Sequence, residues 1–257
     1  MKVVFLGTGT STGVPQIGCG CAVCTSPNPR NKRLRSSVLL CSERTTLLVD
    51  TSPDLRQQAL RQSLTGIDAV LYTHEHLDHT AGFDELRAFC WAREGCLPLY
   101  AGCGCMAQLR RMYGWAFAPT NTHRGYVRPE PHEHDGHVFC VGDIEVTPVR
   151  VEHGTVETFG YVFRSGEKSF GYVPDVKRIP PTETDKLRGL NALAMDGLSY
   201  CEHRTHLSVD ENVKLMHELA PERGFVTHSG HKLEYSTLAA YLPDFMQPAY
   251  DGLTVQV

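Results

Sequence analysis

A chain of 257 residues, 41% hydrophobic and 21% charged, is long enough to bury a substantial core and has the balance of an ordinary soluble globular protein. Its formal net charge of −4, with no basic stripe, argues against an extended nucleic-acid backbone as partner. No apolar run is long enough to span a membrane, and Met1–Gly7 leads straight into a strand-like segment instead of a signal peptide, so a cytoplasmic protein is expected.

Lys2–Leu6 is apolar and β-branched, as in a central strand. The glycine-rich loop Gly7–Gly13 follows, without the lysine or the helical pattern of a phosphate-cradling P-loop. Ser36–Cys41 and Thr45–Val49 predict two strands about a turn at Ser42–Arg44, and Pro53 is placed to open a helix through about Ser63. Ile67–Thr73 reads as a buried strand, and Ala81–Arg93 as a helix with Phe83, Leu86, Phe89 and Cys90 on one side. Leu97–Tyr100 is a short strand and Met106–Tyr113 a helix. Ala118–His137 is the longest irregular stretch, polar and proline-containing, of the kind that forms lids or binding surfaces. Val138–Cys140 with Ile144–Val151, and Gly160–Arg164 with Ser169–Val173, predict two hairpins. Leu193–Asp196 and Gly224–Thr227 are further strands with a helix at Val209–Leu219 between them; Leu233–Tyr241 is a last helix and Leu253–Val257 a last strand. No linker or repeat interrupts the series. The expectation is one domain, residues 1–257, of α/β (α+β) class, with two packed sheets and helices outside.

The chemistry concentrates in His74-Glu75-His76-Leu77-Asp78-His79, directly after the predicted strand Ile67–Thr73. Three imidazoles and a carboxylate held at a strand end suit Zn²⁺, Mn²⁺ or Fe²⁺, and they exceed what one metal with an open position needs. Two adjacent metals are expected. Later residues repeat the placement: His153, Asp175 and His228 each follow a predicted strand, as a site on the rim of a β-sandwich would require. His132-Glu133-His134-Asp135-Gly136-His137 superficially repeats the histidine cluster, but it precedes a strand and reads as a solvated loop. Of ten cysteines, Cys19, Cys21 and Cys24 are crowded into a loop at about residues 18–25. Three thiolates so close favour a tetrahedral structural zinc completed by a fourth ligand from elsewhere.

The ordered set His74, His76, Asp78, His79, His153, Asp175 and His228 resembles the metallo-β-lactamase superfamily along the whole chain. That resemblance implies an αββα four-layer sandwich with two divalent metals, Mn or Zn or Fe, at one edge. It assigns His74, His76 and His153 to one metal, Asp78, His79 and His228 to the other, and Asp175 to a bridge between them. Carboxylate oxygens can span cations about 3.5–4 Å apart, whereas a single imidazole nitrogen cannot. Asp50 matches an aspartate that supports the ligands from behind. The stretch Gly7–Pro15 followed by Cys19, Cys21 and Cys24 is similar to the PhnP-type phosphodiesterases, in which a histidine three residues after the last metal-site histidine completes the zinc site; here that is His231. The same likeness makes His206 the catalytic histidine, with Asp78 beside it among the catalytic groups, and allows a homodimer.

The reaction so implied is hydrolysis of a small cyclic or linear phosphodiester, such as a cyclic ribosyl phosphate, with His206 as general acid to the leaving oxygen. Arg33 and Arg35 are candidates to neutralise the phosphate. The rival readings are a thiolester or lactone hydrolase of the same superfamily, a PqqB-like cofactor-biosynthesis protein, and a metal-stabilised binding module. The cysteine cluster points away from the thiolester or lactone hydrolase and the intact histidine motif away from the PqqB-like protein, while a binding module would need the ligands saturated by protein, without room for water.

Overall fold

The computed structural model describes residues 1–257. In the first half the strands are β1 (Lys2–Gly7), β2 (Ser37–Cys41), β3 (Thr46–Val49), β4 (Ala69–Leu71), β5 (Leu97–Gly102) and β6 (Pro129–His134). In the second they are β7 (Phe139–Val141), β8 (Ile144–His153), β9 (Val156–Ser165), β10 (Lys168–Val173), β11 (Ala192–Asp196), β12 (Gly224–Thr227), β13 (Met246–Pro248) and β14 (Thr254–Gln256). The helices are α1 (Leu55–Arg61), α2 (Leu77–Thr80), α3 (Arg87–Cys90), α4 (Cys103–Met112), α5 (Gly114–Phe117), α6 (Pro181–Thr184), α7 (Val209–Leu219) and α8 (Tyr235–Tyr241). No helix is long and apolar enough to cross a membrane.

Two seven-stranded sheets form, in the orders β14-β1-β2-β3-β4-β5-β6 and β13-β12-β11-β10-β9-β8-β7. Alternation along the strands divides the apolar side chains among three layers. Val3, Phe5, Leu47 and Leu71 of the first sheet meet Val146, Phe163, Tyr172 and Phe225 of the second in a shared core. Val4, Leu48 and Leu99 face the other way, onto Leu55, Met106 and Leu109 of the outer helices. Val162, Leu193 and Val226 pack on Met216, Leu219 and Leu238 in the third layer. The result is the helix–sheet–sheet–helix sandwich expected from the sequence.

Strand direction decides where the chemistry collects. β3 and β4 run parallel, with Val49 opposite Leu71. β10, β11 and β12 are also parallel, with Val173 opposite Met195 and Asp196 opposite Thr227. β8 reaches the same rim through two antiparallel pairings, β8 with β9 and β9 with β10. The C-terminal ends of six strands therefore open onto one edge of the sandwich.

Three local expectations are corrected. The predicted helix Ala81–Arg93 is broken into a 3₁₀ turn at Phe83–Leu86 followed by the short α3. Its start is pinned to the loop after β3: Gly82 N donates to Thr51 O at 2.9 Å, and a Cβ on Gly82 would lie 2.0 Å from Ser52 O. The irregular stretch 118–137 contains β6, whose alternating prolines are tolerated because it is the edge strand of its sheet. His134, read as part of a solvated loop, is buried with Nε2 2.9 Å from Tyr161 Oη. β13, also an edge strand, is three residues long and ends in proline, too short to show a period in the sequence.

Candidate metal centre

The histidine motif turns sharply after β4. His76 precedes α2, whose one turn carries Asp78 and His79, while Thr80 Oγ1 donates to His76 O at 3.0 Å and closes the bend. The rim of the second sheet supplies His153 from the end of β8, Asp175 after β10 and His228 after β12. The backbone of His228 lies in the left-handed region at φ 55, as does that of Asp50 at φ 64; both are non-glycine residues held there by their surroundings.

The seven residues converge in two sets. His74 Nε2 lies 2.9 Å from His76 Nδ1, which is 3.4 Å from His153 Nε2. His79 Nε2 is 3.3 Å from Asp78 Oδ2, which is 3.6 Å from His228 Nε2. Asp175 stands between: Oδ2 is 3.1 Å from His79 Nε2, while Oδ1 is 3.3 Å from His228 Nε2 and 3.7 Å from His153 Nε2. One carboxylate thus turns an oxygen towards members of each set. Ligand atoms of His74, His76 and His153, and of Asp78, His79 and His228, lie within 4.8 Å of one another.

The donors fit divalent cations on a test internal to the structure. His79 Nε2, Asp175 Oδ2 and His228 Nε2 are buried without a hydrogen-bond partner. Native proteins rarely leave such atoms unsatisfied. Groups behind the ligands set their tautomers. Asp50 Oδ2 is 2.7 Å from His79 Nδ1, so a proton there points away from the centre and leaves Nε2 bare. Thr205 O accepts from His153 Nδ1 at 2.8 Å with the same effect. Thr73 N donates to Asp50 Oδ1 at 2.8 Å and Thr73 Oγ1 to Oδ2 at 2.9 Å, fixing that carboxylate. Burial, joined by the neighbouring His79, pushes His74 well below the usual histidine range and favours the neutral ligand form. Burial would also lower His79, but Asp175, Asp78 and Asp50 together hold it well above that range, so without a cation the ring takes a second proton on Nε2, where a metal would bind in its place.

His206 lies at the rim. Its ring stacks on His228 at 4.9 Å and 11°, and its Nδ1 is 2.8 Å from Asp196 Oδ2. A capping box at Ser208 and Glu211 starts α7 just beyond it and anchors the segment. Asp196 was missed in the sequence. It is wholly buried, and burial with the nearby Asp175 charge raises its carboxyl well above the ordinary range. The signal was present: Asp196 is the last residue of an apolar strand, the same placement that marked Asp175 and His228.

The centre opens into a cavity of about 310 Å³, lined by His76, Asp78, His153, Asp175, His206 and His228 and capped by Ser11 of the glycine-rich loop. That volume suits a small molecule. Some distance along the chain, Cys19, Cys21, Cys24 and His231 form a separate tetrad. Their sulfurs lie 3.2, 3.7 and 3.7 Å from His231 Nδ1. Backbone amides of Gln16 and Cys24 donate to Cys24 and Cys21, and such donors favour thiolate. The Cys24 amide, helped by the Cys19 and Cys24 side chains, holds the Cys21 thiol down at about 6, whereas burial raises the Cys24 thiol despite the Gln16 amide. Three sulfurs and one nitrogen at this spacing suit tetrahedral zinc.

The two arginines proposed for phosphate lie elsewhere. Arg33 is 2% exposed, and its guanidinium donates to Gly230 O at 3.0 Å and Leu233 O at 2.6 Å. It is a strut for the loop that carries His228 and His231, and its burial corrects the expectation of a phosphate contact. Arg35 Nε sits 3.2 Å from Asp54 Oδ2 and does not line the metal-centre cavity.

A family model described as a β-lactamase superfamily domain matches residues 45–229. A solved diphosphatase from the PhnP family is 35% identical, with a TM-score of 0.91 over 99% of this chain and 96% of that one. The chain belongs to the metallo-β-lactamase superfamily, within its PhnP family. Divalent metal binding and hydrolytic chemistry go with that fold. An octanoyltransferase of Porphyromonas gingivalis is 35% identical over 263 residues, covering 98% of this chain but 51% of that protein. This PhnP-family chain therefore spans about half the length of that relative. A coenzyme PQQ synthesis protein B of Methylorubrum populi is 30% identical over 231 residues, covering 77% of this chain and 73% of that protein.

Proposed function

We propose that this chain is a binuclear, metal-dependent hydrolase of small phosphodiesters. The observation that carries the reading is the convergence of His74, His76 and His153, and of Asp78, His79 and His228, on either side of Asp175. Two divalent cations, Mn²⁺ or Zn²⁺ or Fe²⁺, would lower the pKa of an attacking water and neutralise phosphoryl oxygens there. A zinc ion at Cys19, Cys21, Cys24 and His231 would have a structural role.

The chain's own groups supply the rest. Asp175 and Asp78 hold negative charge at the centre and orient the two ligand sets. The phosphoryl group enters the cavity beneath Ser11. Hydroxide, formed when that water has released a proton to solvent, attacks phosphorus while the bond to the leaving oxygen breaks opposite it. His206, with Nδ1 engaged by Asp196, presents Nε2 and delivers its proton to that oxygen, so the leaving group departs as an alcohol. Asp196 engages Nδ1 and keeps the ring in one orientation.

A second reading is favoured by one comparison: the PhnP-family relative is a diphosphatase. A diphosphate diester offers the same reacting centre with a phosphate monoester as leaving group. That leaving group needs less help from His206.

The deciding assay is release of nitrophenol from bis(p-nitrophenyl) phosphate, together with turnover of a diphosphate diester. Both activities should vanish on chelation and in His74→Ala. Turnover of a thiolester in place of either phosphorus substrate would transfer the case to an acyl hydrolase. Inertness of metal-loaded protein towards all three would leave a binding module or a PqqB-like role.

A further inference from the structure

Three histidine rings of the centre are held from behind: Thr73 Oγ1 lies 3.0 Å from His74 Nδ1, Asp50 Oδ2 2.7 Å from His79 Nδ1, and Thr205 O 2.8 Å from His153 Nδ1. His228 has no such support. Both of its ring nitrogens are buried without a hydrogen-bond partner, and Asp196 Oδ1 stands 4.0 Å from Nδ1. A cation on Nε2 would still leave Nδ1 unbonded. His206 stacks on one face of the ring, and the rest of its placement comes from the backbone that carries it.

That backbone is itself clamped. His228 sits at φ 55, which a non-glycine residue keeps only where its neighbours fix it. The fixing contacts fall on the next residue. Ser229 N donates to Thr8 O at 2.9 Å and Thr10 N to Ser229 O at 3.4 Å, so Gly9 pairs with Ser229 as in a parallel sheet. On its other side Gly9 bridges to Arg35, with Gly9 N donating to Leu34 O at 2.8 Å. The glycine-rich loop is therefore a short rail between the 33–35 segment and the segment bearing His228.

One carboxylate locks that rail. Asp251 lies where the chain crosses between the sheets: Ala249 N donates to Val226 O of β12 and Gly252 N to Phe5 O of β1, both at 2.8 Å. Its side chain is 6% exposed. Asp251 Oδ1 accepts from Thr8 N at 2.9 Å and from Thr8 Oγ1 at 2.8 Å. Oδ2 accepts from Leu34 N at 2.8 Å and from Arg61 Nη1 at 3.4 Å. The same group grips both the rail and its outer neighbour, at the residue whose carbonyl receives Ser229 N. Asp251 does not line the metal-centre cavity.

We propose that Asp251 is a positioning residue for the metal centre: through Thr8 and Ser229 it fixes the backbone of His228, and so the ring that completes the cation site of Asp78 and His79. The inference rests on the binuclear reading and deepens it. Asp251→Asn preserves the size of the side chain but offers one acceptor oxygen and turns an NH₂ towards donors on the other side. The grip on Thr8 or on Leu34 is then lost.

The test is titration with Mn²⁺, followed by the electron paramagnetic resonance signal of the unbound ion, well below the melting temperature. The unaltered protein, Asp251→Asn, His228→Ala and the double variant form a cycle. The step that His228→Ala weakens identifies the cation held with Asp78 and His79. Asp251→Asn should weaken that step by about tenfold and leave the other within about twofold, as for groups that orient metal-bound histidines. With the ring removed in His228→Ala, Asp251→Asn should change neither step by more than about twofold. Val255→Ala, a core substitution in the neighbouring β14, should lower Tm with both steps unchanged. If Asp251→Asn does not fold, Thr8→Val removes one donor from the same carboxylate and replaces it in the cycle, with an expected loss of about threefold. An unchanged step overturns the proposal, as does a loss that persists in full without the His228 ring or that Val255→Ala reproduces. Turnover of bis(p-nitrophenyl) phosphate reports separately on the phosphodiester reading: its absence with two Mn²⁺ bound removes that reading, and the titrations still decide the role of Asp251. Failure of the unaltered protein to take a second Mn²⁺ overturns the binuclear reading and the proposal together.

Discussion

His206 Nδ1 and Asp196 Oδ2 are 2.8 Å apart, and the carboxylate of that pair is fully buried at the end of β11. Asp196 also accepts from Val176 N at 3.2 Å and Leu207 N at 3.4 Å through the same oxygen, so it ties the segment carrying His206 to the loop carrying Asp175. Burial lowers the pKa of His206, and only in its protonated form does a ring oriented in this way aim an exchangeable Nε2 proton outward, as a general acid must.

Asp196→Asn should leave the metals in place and lower kcat by roughly 10²–10⁴ for a diester with an alkoxide leaving group, the range typical for lost general-acid function. His206→Gln should cost a similar factor, and the double variant little more than either, since the pair acts as a unit. Elemental analysis and single-turnover rates check both points. Multiplying losses would show that the two residues act independently.

Leaving-group chemistry offers a sharper readout for His206. With bis(p-nitrophenyl) phosphate, nitrophenolate departs readily without protonation, so His206→Gln should lose less than about tenfold. Methyl p-nitrophenyl phosphate and simple alkyl diesters form a graded series in which the loss should grow as the leaving group becomes more basic. A uniform loss across the series would assign His206 to binding or packing.

Asp50 touches no substrate, yet it orients His79 across 2.7 Å. Asp50→Asn should weaken occupancy of the cation held with Asp78 and His228 by about 10–100-fold, as for other residues that orient metal-bound histidines. Competition with a chromogenic chelator measures it. Cys21→Ser should instead release the structural zinc and lower Tm, with the binuclear site still able to load.

Arg33 gives a test of structural against functional use. Arg33→Met removes the donor from two buried carbonyls, Gly230 O and Leu233 O. Each carbonyl left unpaired costs roughly 1–3 kcal/mol, so denaturant unfolding should show a loss of about 3 kcal/mol. Well below the melting temperature, KM for bis(p-nitrophenyl) phosphate should change less than about twofold, a prediction based on burial away from the cavity. A large rise in KM would restore the arginine to the substrate.

His134 supplies a pH dependence away from the metals. Burial pushes its pKa down to about 4, and Nδ1 is a buried atom with no partner. Tyr161 Oη donates to Tyr72 O at 2.7 Å and so can accept from His134 Nε2, which makes the neutral ring the favoured form. A histidine depressed in the folded state contributes stability that is complete above its unfolded pKa of about 6.5 and is lost as pH falls through about 4. The shift corresponds to about 3 kcal/mol, reduced to roughly 2 kcal/mol for partial solvation. Unfolding curves between pH 7 and pH 4 should fall more steeply for the unaltered protein than for His134→Gln. Parallel curves would remove this residue from the acid response.

Much of the architecture was legible in the chain. β8, β10 and β12 carry apolar residues in strand-like runs, each followed by a polar ligand-type residue, and α7 begins at Val209 where the Ser208–Glu211 capping pattern places it. The elements that escaped lie where a tertiary contact overrides local preference. β6 and β13 are edge strands that include prolines, and the helical spacing of Ala81–Arg93 is interrupted by the contact of Gly82 with Thr51 and Ser52. Arg33 looked like any basic loop residue because nothing nearby in sequence announces the carbonyls of Gly230 and Leu233.

The linear order of residues determined the kinds of donor available: imidazoles, carboxylates and thiols at strand ends and in one tight loop, together with the apolar periods that build two sheets. Proximity was decided only by folding. Parallel strands bring their C-terminal ends to a common rim, and the packing of one sheet on the other sets His74 beside His153 and Asp78 beside His228. Even Asp196 and His206, ten residues apart, meet only because the loop between them folds back, with Leu198 N donating to Leu207 O, and no local pattern announces that closure.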